Sequence, residues 1–216
     1  MALLYFLSLL LLISSVNVVK ANNNSVVDTD GKSVKSRTFY WMFGGAGGGV
    51  RMGDTKNRSS CQTGVVLENN EVSRGMVVTI LPSNEMKKEK NTIKVSSSVV
   101  LQFYPVFSVS SAGKSAWSYV WQVSPFDVES RQYFVNACAV EGSPIVSDVG
   151  SRFKIESSGN GYVLRLCTPF CRRCKPACSN VGIYDNNGTK RLALNSEPLI
   201  FKFQYAPIML MKTLKS

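Results

Sequence analysis

The chain contains no histidine. That absence removes Ser-His-Asp and Cys-His catalysis and every histidine-ligated metal centre. No general-base and nucleophile constellation takes its place, so the chain does not read as an enzyme. Past the first 20 residues no apolar run approaches the roughly 20 residues of a membrane-spanning helix. There is no sustained 3.6-residue periodicity either, which excludes a helical bundle. Acidic residues are scarce, 14 Asp+Glu against 25 Lys+Arg, for a formal net charge of +11. The basic residues are scattered, with no long run interleaved with aromatics, so no nucleic-acid groove is expected. The excess charge gives solubility and attraction to acidic surfaces.

What is present points to one secreted all-β domain. The length of 216 residues suits a single domain of that class, and a hydrophobic content of 44% is too high for a disordered chain. Residues Ala2 to Val19 form an apolar stretch followed by Val19-Lys20-Ala21, with small residues at the −3 and −1 positions of a cleavage site. Residues 1–21 are therefore expected to be a signal peptide, 22–206 the folded domain and 207–216 a tail. With the leader removed, no membrane association is expected. Asn23, Asn57 and Asn187 begin Asn-x-Ser/Thr sequons in polar stretches, as sites of glycan attachment would.

Short segments rich in β-branched and aromatic residues alternate with turn signals. The pattern predicts strands at Thr38–Met42, Gly49–Met52, Gly64–Glu68, Val77–Leu81, Val99–Phe103 and Tyr119–Val123. Six more follow at Tyr133–Val135, Phe153–Glu156, Tyr162–Leu166, Val181–Tyr184, Leu192–Leu194 and Phe201–Tyr205. Asn187-Gly188 is a hairpin signal, since both residues tolerate positive φ. Twelve short strands with Gly and Ser turns argue for a closed barrel or a sandwich. The run Gly44-Gly45-Ala46-Gly47-Gly48-Gly49 lacks the Gly-Lys-Ser/Thr ending of a phosphate loop and no helix follows, so it reads as a sharp bend between strands. No cofactor or metal is expected.

Six cysteines accompany the leader. Four of them, Cys167, Cys171, Cys174 and Cys178, have the spacing C-x3-C-x2-C-x3-C. Four nearby thiolates can hold zinc, but in a secreted chain disulfides are favoured.

Several motifs resemble the plant Kunitz inhibitors of the soybean trypsin inhibitor type, including the miraculin-like branch. They are Val27-Asp28-Thr29-Asp30-Gly31-Lys32, Phe39-Tyr40, Gly47-Gly48-Gly49-Val50 ahead of Cys61, Trp121-Gln122-Val123, Gln132-Tyr133-Phe134-Val135 and Phe153-Lys154-Ile155-Glu156. The strongest stretch runs from Tyr162 to Leu194, with Leu166-Cys167-Thr168-Pro169, Val181-Gly182-Ile183-Tyr184 and Arg191-Leu192-Ala193-Leu194. The resemblance spans Val26 to Ala206. It implies a β-trefoil of twelve strands in three pseudo-repeats. It also implies nested disulfides, Cys167–Cys178 outside and Cys171–Cys174 inside. Cys61 and Cys138 depart from the family pattern: Ser108 to Lys114, where the partner of Cys61 is expected, holds no cysteine, and Cys138 stands where Gly is usual. Either a Cys61–Cys138 bridge or a free thiol at each site follows. A free Cys138 opens a route to a dimer; otherwise a monomer is expected.

The resemblance further implies a function. An inhibitor of this class inserts an extended, rigid loop into a protease cleft, and the P1 side chain fills the specificity pocket. A trypsin-like pocket carries a carboxylate, so P1 is Lys or Arg. The loop is expected at about residues 82–95. Counting forward from Gly75 places P1 at Glu85, and counting back from Phe103 places it at Glu89. Between these lie Met86, Lys87 and Lys88, with Lys90 just beyond. Lys87 or Lys88 is the expected P1. A solvated charged tip is the plain alternative. Ser36 falls where the family often has an Asn that braces the loop. Arg172-Arg173 and Lys190-Arg191 are alternative basic clusters, for which structural or solvated roles are expected. The expected partner is a secreted or ingested endopeptidase, of serine type or, as an alternative, cysteine type. The expected location is extracellular, in the apoplast or the vacuole. The competing function is a non-inhibitory β-trefoil module that binds a carbohydrate, a small ligand or a protein.

Overall fold

The structure is a computed structural model that describes residues 24–45, 47–54, 63–83, 91–104, 119–139, 149–168 and 177–207. Twelve strands follow one another among these residues. They are β1 (Tyr40–Gly44), β2 (Val50–Asp54), β3 (Thr63–Leu67), β4 (Val77–Pro82), β5 (Ser98–Phe103) and β6 (Tyr119–Val123), then β7 (Val135–Ala139), β8 (Phe153–Ser158), β9 (Gly161–Thr168), β10 (Ala177–Asn186), β11 (Thr189–Asn195) and β12 (Phe201–Tyr205). One 3-10 turn covers Val149–Ser151.

Sequence alternation explains the barrel strands. In β12, Phe201 and Phe203 are buried while Lys202 between them is exposed. In β8, Phe153 and Ile155 are buried with Lys154 between. A period of two puts one face of each strand into the core and the other toward water. Fully burying each such side chain contributes about 1.5–3 kcal/mol.

Pairing closes six strands into a ring. β1 pairs with β4, β4 with β5, β5 with β8, β8 with β9, β9 with β12, and β12 returns to β1. A closed ring leaves no exposed strand edge. The other six strands form three hairpins, β2–β3, β6–β7 and β10–β11. The hairpins meet through β3–β7, β3–β11 and a Phe134–Ala193 bridge. Four strands thus recur three times, two in the barrel and two in the cap. This is a β-trefoil. Its core is shared by both layers: Phe103, Phe153, Phe201 and Phe203 come from the barrel and Trp121 from the cap, all fully buried.

Eleven of the predicted strands overlap their observed counterparts closely. The exception is β7, which starts where the predicted Tyr133–Val135 ends and continues to Ala139. Asn136 and Ala137 carry little strand propensity of their own. Pairing with β6 overrides it, with Ala137 opposite Trp121 and fully buried. The Asn187-Gly188 turn has φ of 51° and 82° and joins β10 to β11 with Asn186 opposite Thr189. The glycine run is a bend against a second backbone segment. Gly48 N–H donates to Glu68 O at 2.9 Å and Gly49 N–H to Ser73 O at 2.7 Å. A Cβ on Gly49 would run into the Arg74 carbonyl, so only glycine permits this approach.

Candidate functional site

The β4–β5 connection holds the predicted loop. Antiparallel pairing ends with Pro82 opposite Val99. Just beyond it, Ser83 N–H donates to Ser98 O at 2.9 Å. The chain therefore leaves the barrel at Ser83 and re-enters it at Ser98. Lys87 and Lys88, with their flanks Glu85, Met86, Glu89 and Lys90, lie outside the described residues.

The returning arm, residues 91–95, is not free. Ile93 is buried in the core beside Val26 and Val34. The expected 82–95 is therefore not exposed throughout, because an isoleucine in the core pins its C-terminal side. Its backbone is held by the N-terminal segment 24–38. Ile93 N–H donates to Val34 O at 2.8 Å, Val26 N–H to Ile93 O at 2.9 Å, and Val95 N–H to Asn24 O at 2.8 Å. Bridges pair Lys35 with Thr92 and Ser25 with Lys94.

Ser36 sits at the end of this arm. It is 2% exposed. Its hydroxyl accepts from Asn91 N–H at 2.9 Å, and its own N–H donates to Asn91 O at 2.7 Å. These two bonds hold both polar groups of the Asn91 main chain at the point where the described arm begins. The next residue, Arg37, has a left-handed φ of 55° and donates its N–H to Ile80 O in β4 at 3.2 Å. One short segment thus touches the arm that enters the loop and the arm that leaves it. Lys35 and Lys94 are exposed on this surface. Beside the stems is a cleft of about 670 Å³ lined by Pro82, Asn91, Thr92, Lys94, Ser96 and Ser98, among others. The two lysines add positive charge beside the stems.

The remaining sequence candidates fall elsewhere. Cys167 and Cys178 form a disulfide that joins β9 to β10, where the two residues stand opposite each other. Cys61, Cys171 and Cys174 lie outside the described residues, as do Arg172 and Arg173. Cys138 lies in β7, of which only the backbone is described there. Asn187 is exposed at its hairpin tip; Asn23 and Asn57 are outside the described residues. Among the described residues, no group of three or more Cys, Asp or Glu is gathered as metal ligands would be.

Arg191 has a structural position. It is 6% exposed, its guanidinium lies 3.6 Å from the centre of the Phe134 ring, and Nη2 reaches Asn136 Oδ1 at 3.4 Å. Desolvation by burial lowers its pKa from the usual arginine value. A guanidinium so enclosed cannot serve as a P1 side chain.

Sequence reasoning missed the anchors of the N-terminal segment. The hydroxyl of Tyr40 accepts from Lys35 N–H at 2.9 Å, and that of Tyr162 accepts from Val27 N–H at 2.8 Å. Both tyrosines are visible in the motifs, but a bond across 135 residues of sequence, as between Val27 and Tyr162, has no local signature.

The fold is a trefoil whose β4–β5 connection is bonded to the N-terminal segment 24–38 through its returning arm and through β4. The chain belongs to the legume Kunitz family, whose model, described as "Trypsin and protease inhibitor", matches residues 26–205. It is 33% identical to Kunitz trypsin inhibitor 5 of Arabidopsis thaliana over 210 residues, covering 95% of this chain and 98% of the relative. It is 31% identical to miraculin of Synsepalum dulcificum, covering 92% of each. Among solved structures it resembles a Kunitz-type cysteine protease inhibitor from potato. There the TM-score is 0.64 and the identity 27%, over 85% of this chain and 97% of that one.

Proposed function

We propose that this chain is a secreted endopeptidase inhibitor that uses the β4–β5 connection as a substrate-like loop, with Lys87 or Lys88 at P1 and a serine protease as its target. The observation that carries this reading is the pair of bonds between Ser36 and Asn91. A protease cleaves a loop whose ends separate freely. It is trapped by one whose ends stay in register after attack, because the new amine remains beside the acyl group. Tight binding then needs little ordering of the loop. A basic P1 side chain complements the carboxylate of a trypsin-like pocket. Chemistry on the inhibitor side needs no catalytic residue, cofactor or metal.

The leader at residues 1–21 would deliver the protein to the apoplast or vacuole, with glycans at Asn23, Asn57 and Asn187. The test is residual activity of trypsin, chymotrypsin and papain after incubation with the refolded mature protein. Papain is included because the potato neighbour is a cysteine protease inhibitor. Trypsin inhibition is expected, and it should vanish in the Lys87→Ala/Lys88→Ala double variant. Full trypsin activity with rapid digestion between Glu85 and Lys90 would overturn the reading and favour a non-inhibitory binding module.

A further inference from the structure

The N-terminal segment, not the barrel alone, holds the arm at Asn91, so its own attachment matters. Besides backbone bonds such as Thr29 N–H to Phe203 O at 2.8 Å and Arg37 N–H to Ile80 O at 3.2 Å, two tyrosine hydroxyls attach it, Tyr40 on Lys35 and Tyr162 on Val27. Tyr40 occupies a special place between them. Its backbone lies in β1 opposite Val78, on the strand that enters the loop. Its hydroxyl holds Lys35, the residue directly before Ser36, whose main chain and hydroxyl grip the arm that leaves the loop. One residue therefore links both arms, its backbone paired with the first and its hydroxyl bonded beside the second. The ring is 3% exposed and packs edge-on against Phe203 at 6.4 Å and Tyr205 at 6.2 Å, so its position is fixed from below. Burial raises the Tyr40 pKa above the usual tyrosine value, which keeps the hydroxyl neutral across physiological pH.

We propose that Tyr40 is a positioning residue for inhibition: its hydroxyl sets the spacing of the two arms of the β4–β5 connection by fixing Lys35 and thereby Ser36 against Asn91. This rests on the inhibitor reading above, since it assigns Tyr40 a role in the same loop. Three features carry it: the Lys35–Tyr40 bond, the reciprocal Ser36–Asn91 pair and the Tyr40–Val78 register. Tyr40 is buried, so it acts through Ser36 and Asn91 rather than at the surface.

The test uses the full mature protein with Tyr40→Phe, which keeps the ring and removes the acceptor. Loss of one buried hydrogen bond corresponds to about a five- to tenfold effect when it is transmitted to the loop. The trypsin inhibition constant should rise by that factor, and trypsin should nick the 84–90 segment faster. Val181→Ala serves as the control, since Val181 is a fully buried cap residue. It should lower the melting temperature and leave the inhibition constant unchanged. Tyr162→Phe, which releases the far end of the segment at Val27, should give a smaller rise than Tyr40→Phe. An unchanged constant in Tyr40→Phe overturns the proposal, as does an equal rise in Val181→Ala, which would mark a general stability effect.

If the wild-type protein inhibits no protease, the inhibitor reading fails and amide hydrogen exchange decides the structural claim by itself. Tyr40→Phe should then speed exchange at Asn91 and Ile93 while leaving Leu194, bonded to Tyr133 O in the cap, unaffected. Equal exchange at Asn91 in variant and wild type would overturn it.

Discussion

Two connections occupy the same place in the trefoil and differ sharply. β4–β5 and β8–β9 both join neighbouring barrel strands across a pseudo-repeat boundary. The β8–β9 turn is closed by Gly159 and Asn160, with Ser158 opposite Gly161 and Gly159 at a φ of 57°. The β4–β5 connection spans residues 83–97. Since two residues suffice to close the ring at one boundary, the barrel does not require the others. Loop-closure entropy rises only slowly with length, so the extra residues are cheap to keep. They are also not wholly loop, because Ile93 returns to the core and residues 91–95 are bonded to the N-terminal segment. The comparison separates what the fold needs from what the fold carries.

The largest effect should come from breaking the carried part where it joins the body. Ile93→Ala removes a buried side chain that packs with Val26 and Val34, and unfolding by urea should show a loss of about 2–5 kcal/mol. A loss near zero would mean that residues 91–95 belong to the loop after all. Next in size is the disulfide between β9 and β10. Cys167→Ser/Cys178→Ser should cost about 2–4 kcal/mol of stability by freeing the unfolded chain of a cross-link, while β9 and β10 stay paired and the trypsin inhibition constant is unchanged.

The short turn should respond more weakly. Gly159→Ala places a Cβ at a positive φ with open space around it, so backbone strain alone should cost roughly 1 kcal/mol, read as a lower melting temperature with inhibition intact. Smallest is the ion-pair cluster on the barrel wall beside that turn. Glu156 bonds Lys154 Nζ at 2.8 Å and Arg165 Nη1 at 3.1 Å. Its pKa is lowered, chiefly by the hydrogen bond from Lys154. Its stabilisation is therefore fully present above the ordinary glutamate pKa of about 4.3 and is lost as pH falls through the lower folded-state value. The cluster is partly exposed, so Glu156→Gln should change stability by under about 1 kcal/mol, and the variant should converge with wild type in acid.

Much of the trefoil was legible in the chain. Alternating aromatic and β-branched residues located the strands, and Asn187-Gly188 located its hairpin. The threefold arrangement was not legible from the residues themselves, because it lies in pairings between distant strands. Strand β7 was misplaced because Asn136 and Ala137 become strand only against Trp121. Ser36 could be named from the sequence, but its partner Asn91 could not. Asn91-Thr92-Ile93-Lys94-Val95 does alternate, with Ile93 inward and Lys94 outward, but the run is short and its partners lie about 55 residues away. The anchoring hydroxyls of Tyr40 and Tyr162 read only as core aromatics, since nothing in a sequence marks which backbone amide a buried tyrosine will meet.

In the proposed function a stiff stem presents a lysine to a protease and survives the encounter. Prolonged incubation of the mature protein with catalytic trypsin, followed by N-terminal sequencing of the complex, tests it most directly. Lasting loss of trypsin activity is expected, with one slow, partial cut that exposes Lys88 or Glu89 as a new N-terminus. Complete digestion of residues 84–90 while trypsin keeps its activity would contradict it.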